Sequence, residues 1–89
     1  MNLYLDALGY CVGKLGHRQQ AIEYERRAVA LEPDNYKFLN DLGWSLLEDR
    51  QYDEAQALLE KSIALSPPDY EFARNNLKIL MSRRKQKAR

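Results

Sequence analysis

Two stretches in the middle of the chain set the pattern. In residues 36–49 the large apolar side chains are Tyr36, Phe38, Leu39, Leu42, Trp44, Leu46 and Leu47, and the series 39, 42, 46 has the spacing of one helix face. Residues 52–65 read the same way through Tyr52, Ala55, Leu58, Leu59, Ile63 and Leu65. Breakers separate these segments. Gly16 can take the left-handed conformation that ends a helix. Pro33 and Pro67 stop the helices before them, because proline lacks the amide and clashes one turn back. Asp34 or Asn35 can cap the next helix by accepting from its free first-turn amides. Near residue 70 two caps compete: Ser66 with Asp69 matches a capping box, whereas the spacing of the segments favours Asp69 itself. The pattern predicts five helices, over 2–15, 18–31, 36–49, 52–65 and 70–84.

The chain also repeats itself. Shifted by 34 residues, Leu5 falls on Leu39, Leu8 on Leu42, Gly9 on Gly43, Ala21 on Ala55, Ala30 on Ala64, Leu31 on Leu65 and Pro33 on Pro67. That divides one domain, 1–84, into a first copy at 2–35, a second at 36–69 and a half copy at 70–84, followed by a basic tail at 85–89.

The residues Leu5, Leu8, Gly9, Val12, Ala21, Ala28, Pro33, then Leu39, Leu42, Gly43, Leu46, Ala55, Pro67 resemble the tetratricopeptide repeat. The resemblance covers nearly the whole chain. It implies an all-α, right-handed α-solenoid of helix–turn–helix repeats closed by a C-terminal capping helix. In such a fold Gly9 and Gly43 sit where the two helices of a hairpin cross, and Ala21, Ala28 and Ala55 serve the same contact from the other side. Each seam is closed only by the next copy.

Several positions depart from the pattern. The expected aromatic after the first alanine of the second helix is Glu25 in copy one and Leu59 in copy two, with Tyr24 as a neighbouring substitute. Ser62 stands where a second alanine is expected. The turn Asp49, Arg50, Gln51 has no glycine, so a left-handed residue there costs about 1 kcal/mol. In the half copy Phe72, Ala73, Leu77 and Leu80 are expected to face the preceding pair, with Glu71, Arg74, Asn75 and Lys78 toward water. The first helix has no lid: Tyr4, Leu5, Leu8, Cys11, Val12 and Leu15 leave it apolar over much of its circumference. Self-association through that edge, giving a homodimer, is the alternative to an adaptor role.

By resemblance, the first helix of each copy lines a concave groove that takes a peptide or protein segment. Carried over by register, its lining is Leu3, Asp6, Tyr10 and Lys14 from copy one, Lys37, Asn40, Asp41, Trp44 and Glu48 from copy two, and Glu71, Arg74, Asn75 and Lys78 from the half copy. Tyr10, Trp44 and Lys78 then form a row. Trp and Tyr bring large contact area, and Asn40 and Asn75 can hydrogen-bond a ligand's backbone. Trp44 has a second reading, as a side chain packed sideways on the neighbouring helix. The Lys, Asn and Arg set with which some members grip a C-terminal carboxylate is not matched, since Glu71, Asp6 and Tyr10 stand where it needs other residues.

Composition narrows the chemistry. Fourteen Lys and Arg against thirteen Asp and Glu give +1, so no global field favours nucleic acid or membrane. The balance is uneven: residues 1–77 hold thirteen acids and eight bases, a net of −5, and the last twelve residues hold six bases and no acid. That basic end reads as a solvated helix terminus, as an arm for an acidic partner or another copy's acidic body, or as a nucleic-acid contact, which lacks the aromatics needed for stacking. One cysteine and one histidine leave no metal set, and no Ser-His-Asp arrangement or glycine-rich phosphate loop is present. Cys11 reads as a buried thiol and His17 as a solvated turn residue. Asp53 and Glu54 suit a helix start, and Glu23 with Arg27 reads as a surface pair one turn apart. No apolar run approaches the ~18 residues of a membrane span, and the N-terminus has no basic n-region. The expectation is a cytoplasmic, non-enzymatic protein–protein interaction module with no cofactor.

Overall fold

The computed structural model describes residues 17–87, all of whose regular structure is helical: α1 (Arg18–Leu31), α2 (Tyr36–Glu48), α3 (Tyr52–Leu65) and α4 (Phe72–Lys87). The helix expected over 2–15, with Gly9, Cys11, Gly16 and the apolar edge, lies outside the described residues. Helix α2 is central, packed against α1, α3 and α4, and α3 also packs on α4. The result is an all-α helical repeat array in which successive helices double back on one another.

Local chemistry explains the helix ends. Asn35, not Asp34, caps α2: its Oδ1 accepts from the amides of Lys37 (3.0 Å) and Phe38 (3.2 Å). At the other end of α2 the amide of Arg50 donates to the Leu47 carbonyl at 3.0 Å and that of Gln51 to the Leu46 carbonyl at 2.9 Å. These two bonds satisfy carbonyls left open by the helix, and they require a left-handed residue between. Arg50 supplies it with φ 64°, so the glycine-free turn carries the strain its composition implies.

Helix α4 starts and ends later than the pattern predicts. The Asn75 amide bonds to the Glu71 carbonyl at 2.9 Å, which places the start after Asp69, and the helix continues to Lys87 instead of stopping at 84. Ser66 does not cap it, because its hydroxyl turns back to the Ile63 carbonyl at 3.2 Å. The Arg74 guanidinium donates to the carbonyls of Pro68 (3.0 Å) and Tyr70 (3.3 Å) and ties down the preceding turn, where solvent exposure was expected. Phe72 also departs from expectation: it is 66% exposed instead of facing the preceding hairpin. Tyr70 takes the inward place, its ring edge-on to Tyr36 at 4.7 Å, with Phe72 outside it at 5.3 Å.

The core runs through Ile22, Leu42, Leu46, Leu47, Ala55, Leu59, Ala73 and Leu80. At its centre is the α2–α3 crossing. A Cβ on Gly43 would lie 2.9 Å from both Cγ and Cδ2 of Leu59, and 3.5 Å from the Ala55 carbonyl oxygen. Leu59, where the repeat pattern expects an aromatic, is fully buried. Ser62, fully buried too, donates across the same hairpin to the Tyr36 carbonyl at 2.7 Å. In α1 the inward place is taken by Glu25, 4% exposed. Tyr24 is half-buried, its ring under the Arg27 guanidinium at 5.9 Å.

Charged pairs stitch adjacent hairpins from outside. Arg26 of α1 grips Glu54 of α3 with both guanidinium nitrogens, one of them at 2.9 Å. The hydrogen bonds from Arg26 hold the Glu54 carboxyl below its ordinary value of 4.5. Glu23 and Arg27 form the expected surface pair at 2.6 Å.

Two outcomes follow. Gly43→Leu should lower stability by about 1–3 kcal/mol in urea unfolding, although leucine is the better helix former by nearly 1 kcal/mol; a variant as stable as the parent would mean that Leu59 yields freely. The second concerns acid. Because the folded Glu54 carboxyl is depressed, its contribution is complete above pH 4.5 and is lost as pH falls through the lower folded value. Both side chains are more than two-fifths exposed, so the pair is worth at most about 1 kcal/mol. The stability gap between parent and Glu54→Gln should be present at neutral pH and close in acid; a constant gap refutes the assignment.

Candidate functional site

Helices α2 and α4 lie side by side, and one polar contact sets how. The Asn76 side-chain amide donates to Asn40 Oδ1 at 2.9 Å. Asn40 is only 7% exposed, so its carbonyl is committed to the neighbouring helix and not presented to a ligand backbone, contrary to expectation. Asn76 was not singled out from sequence, yet it follows Ala73 and precedes Leu80 on the stripe that α4 buries. An amide on such a stripe needs a partner, and Asn40, between Leu39 and Leu42, has the same signature.

The other residues assigned to the groove divide by exposure. Lys37, Glu48, Glu71, Asn75 and Lys78 are exposed. Asp41 and Trp44 are half-buried, and Arg74 is occupied by the turn before α4. Leu3, Asp6, Tyr10 and Lys14 lie outside the described residues. Trp44 packs against the core cluster, and the Arg83 guanidinium stands over its ring with the carbon 5.8 Å from the centroid. This is a cation–π contact, and Arg83 is a second residue the sequence did not mark.

The basic end of the chain is thus partly consumed by the domain itself. Arg83 covers Trp44, and Arg84 reaches Asp53 in the first turn of α3 at 2.8 Å. Both contacts draw the last turns of α4 toward the α2–α3 turn. Beside that turn an open depression of about 600 Å³ is lined by Arg18, Arg50, Arg83, Glu48, Tyr52 and Gln86. At its margin the Asp49 carboxylate accepts from the side-chain amides of Gln51 (2.6 Å) and Gln19 (3.1 Å), which lower its pKa, with a smaller contribution from the Arg18 charge.

Among the described residues no group of histidine, cysteine and carboxylate side chains could hold a metal ion, and no helix is long and apolar enough to cross a membrane.

Two family models, each described as tetratricopeptide repeat, match the chain over residues 4–35 and 24–57. The second match begins inside α1 and runs through α2 into α3, so it follows the repeat across the junction between copies. No curated protein matches the chain.

The Asn40–Asn76 bond can be tested by stability. Asn40→Ala should cost about 1–2 kcal/mol, since Asn76 is left partly buried without its acceptor. Adding Asn76→Ala should cost less than the sum of the single changes; strict additivity in urea unfolding would show that the two amides do not interact.

Proposed function

The chain belongs to the tetratricopeptide repeat family, and on that premise we propose that it is a non-catalytic adaptor holding a segment of a partner protein along the face shared by α2 and α4. Repeats of this family generally serve protein–protein interaction and are typically not catalysts. The observation that carries the reading is the character of this face. Asn40 and Asn76 fix the two helices relative to each other, while Lys37, Asn75 and Lys78 stay exposed on them beside the half-buried Trp44. A fixed helix pair with one aromatic between adaptable polar groups suits a bound chain, because the aromatic brings contact area at little cost in side-chain freedom. The exposed charged side chains of both signs, Lys37, Glu48 and Lys78, act as selectivity elements for the partner's own charges.

The experiment is affinity measurement with a partner isolated by pull-down. Trp44→Ala should weaken binding by at least ~1 kcal/mol with helix content unchanged by circular dichroism. Lys78→Glu, on an exposed side chain, should change affinity in the same assay without touching the core. A partner indifferent to both variants places the binding surface elsewhere.

A further inference from the structure

The depression beside the α2–α3 turn carries an excess of positive charge. Three arginines, Arg18, Arg50 and Arg83, line it with one acid, Glu48. Among the described residues none of the three is in an ion pair, whereas Arg26, Arg27, Lys61 and Arg84 all are. Of the nearby acids, Asp53 is held by Arg84, whereas Asp49, bonded to the neutral amides of Gln19 and Gln51, keeps its charge and offsets part of that of Arg18. Cations gathered round a concavity raise the local concentration of anions.

Two of the three arginines are also held by the fold. Arg50 is the left-handed residue of the α2 terminus, its amide bonded to Leu47. Arg83 lies on the Trp44 ring. Guanidinium groups so placed suit bidentate contact with carboxylates. The space, about 600 Å³, exceeds what one oxyanion fills and lies within the ~300–1,000 Å³ range of ligand sites.

We propose that this depression receives an acidic segment of a partner protein, whose neighbouring carboxylates are bridged by Arg18, Arg50 and Arg83, with the Gln86 amide as a further donor. The inference rests on the reading of the chain as a binder of protein segments, but it concerns the ends of the helices and not the α2–α4 face. It assigns the three arginines of the lining one ligand chemistry and explains why they share a depression although the body of the chain is acidic.

Trp44 is the chain's single tryptophan, so its emission reports on the Arg83 contact directly. The full chain is titrated at low ionic strength with a short peptide of alternating glutamate and serine. A saturable change in emission is expected, weakening steeply with salt. Arg18→Gln and Arg50→Gln, both on exposed side chains, should each weaken it about tenfold, while Arg27→Gln leaves it unchanged. Three results overturn the proposal: no saturable response; affinity in the Arg18→Gln and Arg50→Gln proteins undiminished from the parent's; or saturation by inorganic phosphate or free glutamate at concentrations comparable to the peptide, which makes this a small-anion site. Lys78→Glu separates the two sites. If the glutamate peptide fails while an isolated partner still responds to Lys78→Glu, this inference falls and the reading of the α2–α4 face stands.

Discussion

Helices α2 and α3 can approach as closely as they do because position 43 carries no side chain. Leu59 occupies the space a Cβ would need, and the Ala55 backbone lies just beyond it. This contact draws Leu42, Leu46 and Leu47 of one helix onto Ala55 and Leu59 of the other. The hairpin so made presents two further apolar faces. One is covered by α1 through Ile22, the other by α4 through Ala73 and Leu80. Removing the close approach would therefore disturb more than one pair of residues, since both seams are shaped by how deeply the central hairpin is packed.

Around that contact, polar groups decide which of many similar helix arrangements is adopted. Apolar burial tolerates small shifts of one helix along another better than hydrogen bonds do. Ser62 finds the Tyr36 carbonyl, and Arg26 finds Glu54 across two hairpins. Each is modest alone, and the exposed ion pair contributes little at neutral pH. Together they penalise alternatives in which a buried hydroxyl or amide would be left unbonded.

Most of the architecture was legible in the sequence because it is periodic. The 34-residue step, the glycine at the crossing and the prolines after the second helices identify the hairpins, and α1 and α3 begin and end where the pattern puts them. What sequence missed is specific to side chains that reach across. Tyr70 displaced Phe72 from the interior because the turn after Pro67 delays the start of α4. Asn40 looked available to a ligand because register assigns a face but not a partner, and its partner lies 36 residues on. Arg83 and Arg84 looked like a solvated end because their partners, Trp44 and Asp53, come from two other helices. The arginines of the depression come from distant parts of the chain and leave no local motif.

The Asn40–Asn76 bond has one more consequence. A helix held only by oily contacts can shuffle along its groove in small steps, each costing little. With an amide pair at the seam, a displaced position leaves the buried Asn40 oxygen without its donor, at roughly 1–3 kcal/mol. The final helix is thus keyed to one register, the one in which the buried amide finds its bolt.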